Sequence, residues 1–154
     1  MSLSPRRRRI EKIVQHRQKE LDERVAELAT QKAKEAAAVA RFEAADRAVK
    51  EAEVRRRELG EQGSDAQTFL EAGEWLAASA REATRQWAHV RRERDISAKV
   101  QQTVVAAKMK MKQAEHLATR VATSEQKLAE RKERRRDDED AARIAQRRAA
   151  GTRK

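Results

Sequence analysis

Apolar residues recur every seven positions in the first part of the chain, separated by charged residues. One row consists of Val14, Leu21, Leu28, Phe42 and Val49, and Glu35 interrupts it. A flanking row consists of Ile10, Ala38, Ala45, Ala52 and Leu59. Because a seven-residue repeat keeps one stripe of a helix facing a partner helix, the pattern predicts a long first helix over about residues 5–59. Arg17, Arg24 and Lys32 interrupt the seam, so the predicted pairing is weaker than in a leucine zipper.

The second half of the chain carries a similar stripe, with spacings that alternate between three and four residues. It consists of Val100, Val104, Ala107, Met111, Ala114, Leu117 or Ala118, Val121 and Leu128. This spacing is typical of a coiled-coil face and predicts a second long helix over about residues 66–148. Beyond Leu128 the only large apolar residue is Ile144, so the stripe ends there.

Helix-breaking residues lie together between the two stripes. Gly60, Gly63 and Gly73 are close neighbours, whereas the single proline is Pro5 and the fourth glycine is Gly151. Glycine disfavours helix through its backbone entropy, and proline through its missing donor. We therefore predict an all-α fold in which two long helices form an antiparallel coiled-coil hairpin, with one bend near residues 60–65.

The caps and the domain organisation follow from this fold. Ser4 and Pro5 are suited to the start of the first helix, and Ser64 with Gln67 matches a capping box for the second. Residues 1–154 are expected to form one hairpin. Its C-terminal part, beyond about residue 120, is expected to overhang the first helix.

Composition limits the size of any core. The chain has 154 residues, of which 41% are charged, and a net charge of +11. Leu, Ile, Val and Phe together number only 24, so the core is expected to be a narrow seam. There is no cysteine, which excludes disulfides and thiolate metal sites. No apolar run approaches the roughly 20 residues that span a bilayer, and we expect a cytoplasmic protein without membrane insertion.

No motif of an enzyme is present. The chain lacks the glycine-rich phosphate loops of nucleotide-binding proteins. His16, His89 and His116 are far apart in sequence, although antiparallel folding brings His16 towards His116 and leaves a two-histidine surface site conceivable. A two-helix hairpin also lacks a concave pocket in which a pKa could be tuned. We expect no catalysis, no cofactor and no metal.

Arginine clusters indicate an acidic partner. They are Arg6–Arg9, Arg55–Arg57 and Arg131–Arg136. Nucleic acid, an anionic membrane surface or an acidic protein groove would each fit, as would simple solvation of the helices. Only four aromatic residues are available for base stacking, which disfavours nucleic acid.

A group of large apolar residues surrounds or approaches the bend: Phe42, Phe69, Trp75 and Leu76. One interpretation is local packing that stabilises the end of the hairpin. The other is an exposed anchor for a protein partner, because aromatic residues dominate binding hot spots.

The chain resembles the FliJ/YscO stalk proteins of bacterial flagellar and virulence type III secretion systems. The features that carry the resemblance are its length, its Arg-, Glu- and Ala-rich composition without cysteine, the single central bend, and an Arg-rich start that leads into Ile10-Glu11-Lys12-Ile13-Val14. The resemblance implies a non-enzymatic stalk, located at the cytoplasmic side of the bacterial inner membrane. Such a stalk links a hexameric export ATPase to the ring of cytoplasmic domains of the export gate.

The resemblance also implies where partners bind. The bend would reach the export gate, and position and chemistry then favour Phe42, Phe69, Trp75 and Leu76 as gate contacts. The helix ends would enter the ATPase pore; the candidate contacts are Arg6, Arg7, Arg8, Arg9, Arg131, Arg134, Arg135 and Arg136. Secretion chaperones are a further expected class of partner. Two alternatives stay open: a generic coiled-coil adaptor or dimerising protein, and a basic coiled coil associated with nucleic acid.

Overall fold

A computed structural model describes residues 4–151 of the chain. It contains two helices, α1 (Pro5–Gln62) and α2 (Ala66–Gly151), and no strand within the described range. The predicted all-α fold of two long helices is therefore confirmed. The chain divides into two compact units: one comprises α1 up to Lys19 with α2 from Met109 onward, and the other comprises Glu20–Lys108.

In the first unit, α1 begins at a cap that also binds α2. The backbone N–H of Arg7 donates to Ser4 Oγ at 3.1 Å, which confirms the predicted start. The Ser4 hydroxyl in turn donates to Glu125 Oε1 at 2.6 Å, and Arg7 Nε lies 3.5 Å from Glu125 Oε2. Glu125 therefore holds the first turn of α1 against α2.

The seam of the first unit is short and contains few buried side chains. Ile10, Met111, Ala114 and Val121 are buried in it, whereas Leu117 is exposed. Of the two candidates at 117 and 118, it is thus the half-buried Ala118 that belongs to the seam. Every described residue from 126 onward is exposed, so α2 continues as an unaccompanied helix. This is the overhang that the sequence predicts.

The second unit is a helical hairpin whose seam is carried largely by alanine. Ala38, Ala52, Leu59, Ala72 and Val90 are among its buried residues. The row that the sequence analysis placed at the flank is thus the deeper one. Phe42 and Val49, from the other row, are only half-buried. Small side chains lie between the helices, and the larger ones reach out to the sides.

The turn is shorter than the predicted segment 60–65, because α1 continues through Gly60 to Gln62. Gly63 has φ of +70°, the left-handed conformation that glycine adopts without strain. The N–H of Ser64 donates to the carbonyl of Leu59 at 3.1 Å, and its hydroxyl donates to the same oxygen at 2.9 Å. Together these features form a Schellman ending for α1.

The predicted capping box at Ser64 and Gln67 is wrong, and Asp65 is the cap. Asp65 Oδ1 accepts a hydrogen bond from the backbone N–H of Thr68 at 3.0 Å. The hydroxyl of Ser64 already serves the end of α1, so the carboxylate of the next residue serves the start of α2. Hydrogen bonds from the side chain and backbone of Thr68 lower the pKa of Asp65.

Candidate protein-binding surfaces

The turn of the second unit carries a cluster of exposed apolar side chains. Leu70 is 60% exposed and Trp75 is 50% exposed, with Phe69 also accessible. The guanidinium of Arg56 stacks over the Phe69 ring, 5.1 Å from its centroid. A Cβ on Gly60 would meet Phe69 Cε2 at 3.5 Å, so the ring lies beside this glycine. We call Phe69, Leu70 and Trp75 the turn patch.

Next to the turn patch is an open groove of about 400 Å³. Its lining combines charged and apolar groups: Glu53, Arg56, Arg57, Gly60, Phe69 and Leu76. Leu76 is half-buried and contributes to the floor of the groove rather than projecting from the surface. An apolar floor with arginines beside it suits a protein side chain that is flanked by carboxylates.

Phe42 lies apart from the turn patch. It packs against Trp87, with ring centroids 5.1 Å apart and planes tilted by 49°. The guanidinium of Arg94 lies over the Trp87 ring at 5.5 Å from its centroid. Three of the four predicted gate contacts are therefore near the turn, and the fourth belongs to a separate aromatic stack. The sequence analysis did not find this stack, although Phe42 and Trp87 are equally distant from the turn.

A polar layer interrupts the seam of the second unit. Gln31 is buried, and its Nε2 donates to the backbone oxygen of Glu93 at 3.2 Å and to Glu93 Oε2 at 2.5 Å. His89 Nε2 lies 4.0 Å from the other oxygen of this carboxylate. The seam therefore encloses a carboxylate with an amide donor.

Glu35 extends this layer. The hydroxyl of Ser97 is buried and does not form a hydrogen bond of good geometry. It lies near Glu35, and its interaction with that carboxyl is the main reason why the pKa of Glu35 is lowered. Lys32 contributes next, with Nζ at 3.0 Å from Glu35 Oε2, and Arg94 Nε lies 3.9 Å from Oε1. The same Arg94 therefore joins the polar layer to the Trp87 stack.

The predicted ATPase contacts all lie in the first unit. Arg6, Arg8 and Arg9 are exposed on the first turns of α1, whereas Arg7 is partly covered beside Glu125. The second group is exposed on the unaccompanied part of α2: Arg131, Arg134, Arg135 and Arg136. Further along this helix, Arg143 Nη1 is 3.7 Å from Asp140 Oδ1. This part of α2 is covered with both signs of charge.

Sites for metals or membranes are not found in the described part of the chain. Between residues 4 and 151, no group of three or more histidines and carboxylates is arranged to hold a metal ion. His16 and His116 are both exposed in the first unit. Neither helix, over the residues described, has an apolar stretch long enough to cross a bilayer.

Comparison with known proteins gives no relative. Neither the protein-family models, nor the curated proteins, nor the solved structures contain a match to this chain. Its function must therefore be argued from its own residues.

Proposed function

We propose that this chain is a non-enzymatic coupling protein, the stalk of a type III secretion export apparatus. In this proposal the turn patch binds the cytoplasmic domain of the export gate, and the helix ends bind the hexameric export ATPase. The observation that carries the proposal is the turn patch itself. A packed two-helix hairpin exposes three large apolar side chains within seven positions of one another.

The turn patch has the composition of a protein-binding hot spot. Large apolar side chains that stay exposed close together in sequence are candidates for a protein contact, and Trp is among the residues most enriched in hot spots. Phe69 is oriented by Arg56 and by the nearby Gly60, so it does not have to be ordered on binding. Preorganisation of this kind favours a specific partner, because less conformational entropy is lost.

The unaccompanied part of α2 supports a second contact, with the ATPase. From Gln126 to Gly151 it is about 40 Å long at 1.5 Å per residue, and a lone helix is about 10–12 Å wide. Such an element is thin enough to enter a ring pore. Its arginines at 131 and 134–136 would bind an acidic lumen, and opposite charges on the same helix keep it helical without a seam.

Binding to the gate is tested with a matched pair of leucine variants. Leu70 in the turn patch and Leu128 in the first unit are similarly exposed, at 60% and 53%. We expect Leu70→Ala to weaken binding of the purified gate domain, measured by fluorescence anisotropy, and Leu128→Ala to leave it unchanged. Trp75→Ala should weaken it by about 30-fold, the loss expected of a hot spot worth about 2 kcal/mol. Equal affinities for all three variants would contradict the proposed contact.

Binding to the ATPase is tested with two arginine triplets. Reversing Arg134, Arg135 and Arg136 to glutamate should abolish stimulation of the export ATPase, whereas the same reversal at Arg55–Arg57 should not. If the chain binds neither ring and sediments as a stable dimer at micromolar concentration, the adaptor function replaces this proposal. If the chain instead binds duplex DNA with an affinity that falls steeply with salt, a nucleic-acid-binding function replaces this proposal.

A further inference from the structure

The aromatic stack of Phe42, Trp87 and Arg94 has no part in the proposed function, because it lies away from the turn. Trp87 nevertheless remains 39% exposed, although Phe42 and Arg94 both contact it. An indole held by two neighbours at a partly open surface is a rigid anchor that lacks a partner.

Trp87 belongs to a second stripe on α2, beside the seam. Its members are Ala80, Thr84, Trp87, Arg91 and Arg94, all at alternating spacings of four and three residues. We call this set the Trp87 stripe. The same spacing defines the seam that pairs α2 with α1, and it is the spacing on which a further helix packs. A shallow groove of about 420 Å³ opens along it between Ala80, Arg81, Thr84 and Arg85.

The segment of α2 that carries this stripe has more arginines than carboxylates. Arg81, Arg91 and Arg92 are exposed, and no ion pair is formed by them among the described residues. The carboxylates of the same segment are mostly engaged elsewhere. Glu93 is hydrogen-bonded to Gln31 in the seam, and Glu82 forms an ion pair with Arg85 at 2.9 Å. Asp95 is the remaining exposed carboxylate in this segment.

We propose that the Trp87 stripe binds an acidic amphipathic helix of a partner protein. In this complex an apolar side chain of the partner packs on the exposed part of Trp87 beside Ala80 and Thr84. Carboxylates that flank this side chain pair with Arg91 and its neighbours. The partner forms a third helix against α2, at a surface separate from the turn patch.

Protein is favoured over nucleic acid by the state of the ring. Bases stack on the open faces of aromatic side chains. Arg94 lies over the Trp87 ring and is also held near Glu35, 3.9 Å away, so stacking would require both contacts to be displaced. An aliphatic side chain does not need an open ring face, and Trp87 is 39% exposed with both neighbours in place.

Trp87 fluorescence provides the test, because the chain has only two tryptophans. In a Trp75→Phe background Trp87 is the sole reporter. The probe is a 21-residue peptide, about six helical turns long, with leucines at alternating third and fourth positions and glutamate and alanine elsewhere. We expect saturable binding with a change in Trp87 emission, and no such binding by the same peptide with lysine in place of glutamate.

Two matched charge reversals locate the site. Arg91→Glu with Arg92→Glu should weaken the affinity for the peptide by about tenfold or more, as expected when charge pairs beside a buried apolar contact are lost. Arg134→Glu with Arg135→Glu changes the net charge equally and should alter affinity less than twofold. Equal losses from both pairs, or saturation without a change in Trp87 emission, would overturn the proposal. So would a Trp87 response to oligothymidylate but not to the acidic peptide, which would assign the stripe to nucleic acid.

Discussion

Replacement of Val90 by alanine measures how much the alanine-rich seam contributes to stability. Val90 is fully buried, at 0% exposure, and it is the largest side chain in the described structure that is so completely enclosed. Val→Ala removes two methyl groups, each worth about 0.8 kcal/mol of transfer free energy. The seam of this unit is rich in alanine, as at Ala38, also at 0%, and so short a side chain cannot reach into the space that is left. With the cavity included, we expect a loss of about 2 kcal/mol in the free energy of unfolding.

The same substitution at Val105 is the control. Val105 is 50% exposed, outside the seam, on the same helix. Removal of its methyl groups forfeits little burial, and alanine is the better helix former by a few tenths of a kcal/mol, so we expect a change of about zero. Urea denaturation followed by far-ultraviolet circular dichroism gives both values, with the slope of the transition as a check that each variant unfolds in the same way.

The test is the difference between the two variants in the free energy of unfolding that each one loses. A loss at Val90 that exceeds the loss at Val105 by about 1.5–2 kcal/mol would agree with the packed seam. Equal effects would refute the reasoning, because they would mean that Val90 is no better enclosed in solution than Val105. A marked fall in the denaturant slope for Val90→Ala alone would also count against it, since the second unit would then no longer unfold as one.

Three further predictions follow from the turn and from the unaccompanied helix. Gly63→Ala should destabilise the chain by about 1 kcal/mol in urea denaturation, because its φ of +70° is strained for any residue with a Cβ. Since folding lowers the pKa of Asp65, its ionised form stabilises the fold above the pKa of the unfolded carboxyl, and this contribution is lost as the pH falls below about 4. The stability difference between the wild type and Asp65→Ala, measured across this range, should therefore shrink on acidification; a constant difference would contradict the cap. A chain that ends at Glu125 should keep its melting temperature, because all described residues beyond it are exposed, and a large fall would show that they pack in solution.

The positions of the helices and of the seam are predictable because they depend on spacing. Buried Ile10 and Val121 and half-buried Ala118 all follow from the seven-residue repeat. The repeat does not tell which of two adjacent residues faces the partner, so Leu117 and Ala118 had to be distinguished by the structure. Of the two residues that the sequence analysis left open, Ala118 is half-buried and Leu117 is exposed.

The cap could not be read from residue type alone. Ser64 and Asp65 are both good N-cap residues, and the capping-box pattern favours Ser64. The outcome depends on Gly63, whose left-handed conformation directs the N–H and hydroxyl of Ser64 back to Leu59. A turn that ends one helix and starts the next within three residues assigns each polar side chain to one helix. Only the geometry of the turn shows that Ser64 serves the end of α1 and Asp65 the start of α2.

The polar layer was also hidden from the sequence, because Glu35 reads simply as a break in the repeat. Gln31 is buried and Glu93 half-buried here, at a cost in desolvation that apolar residues would not have. In some coiled coils such a layer fixes the register of the helices, but in this hairpin the three-residue turn already does so. Its remaining effect is to divide the seam of the second unit into two apolar parts.

That division bears on the proposed function. Ala38, Ala52, Leu59, Ala72 and Val90 all lie on the turn side of the polar layer, whereas Val104 and Ala107 lie on its other side. Local opening is cheapest where buried apolar contacts are few, and the seam on the turn side of the polar layer contains five buried apolar residues. The turn patch is therefore carried by helices that pack against each other on both sides of it. A binding surface held in this way loses little conformational entropy when its partner docks, and a load applied at the turn is transmitted along packed helices instead of being absorbed by local unfolding.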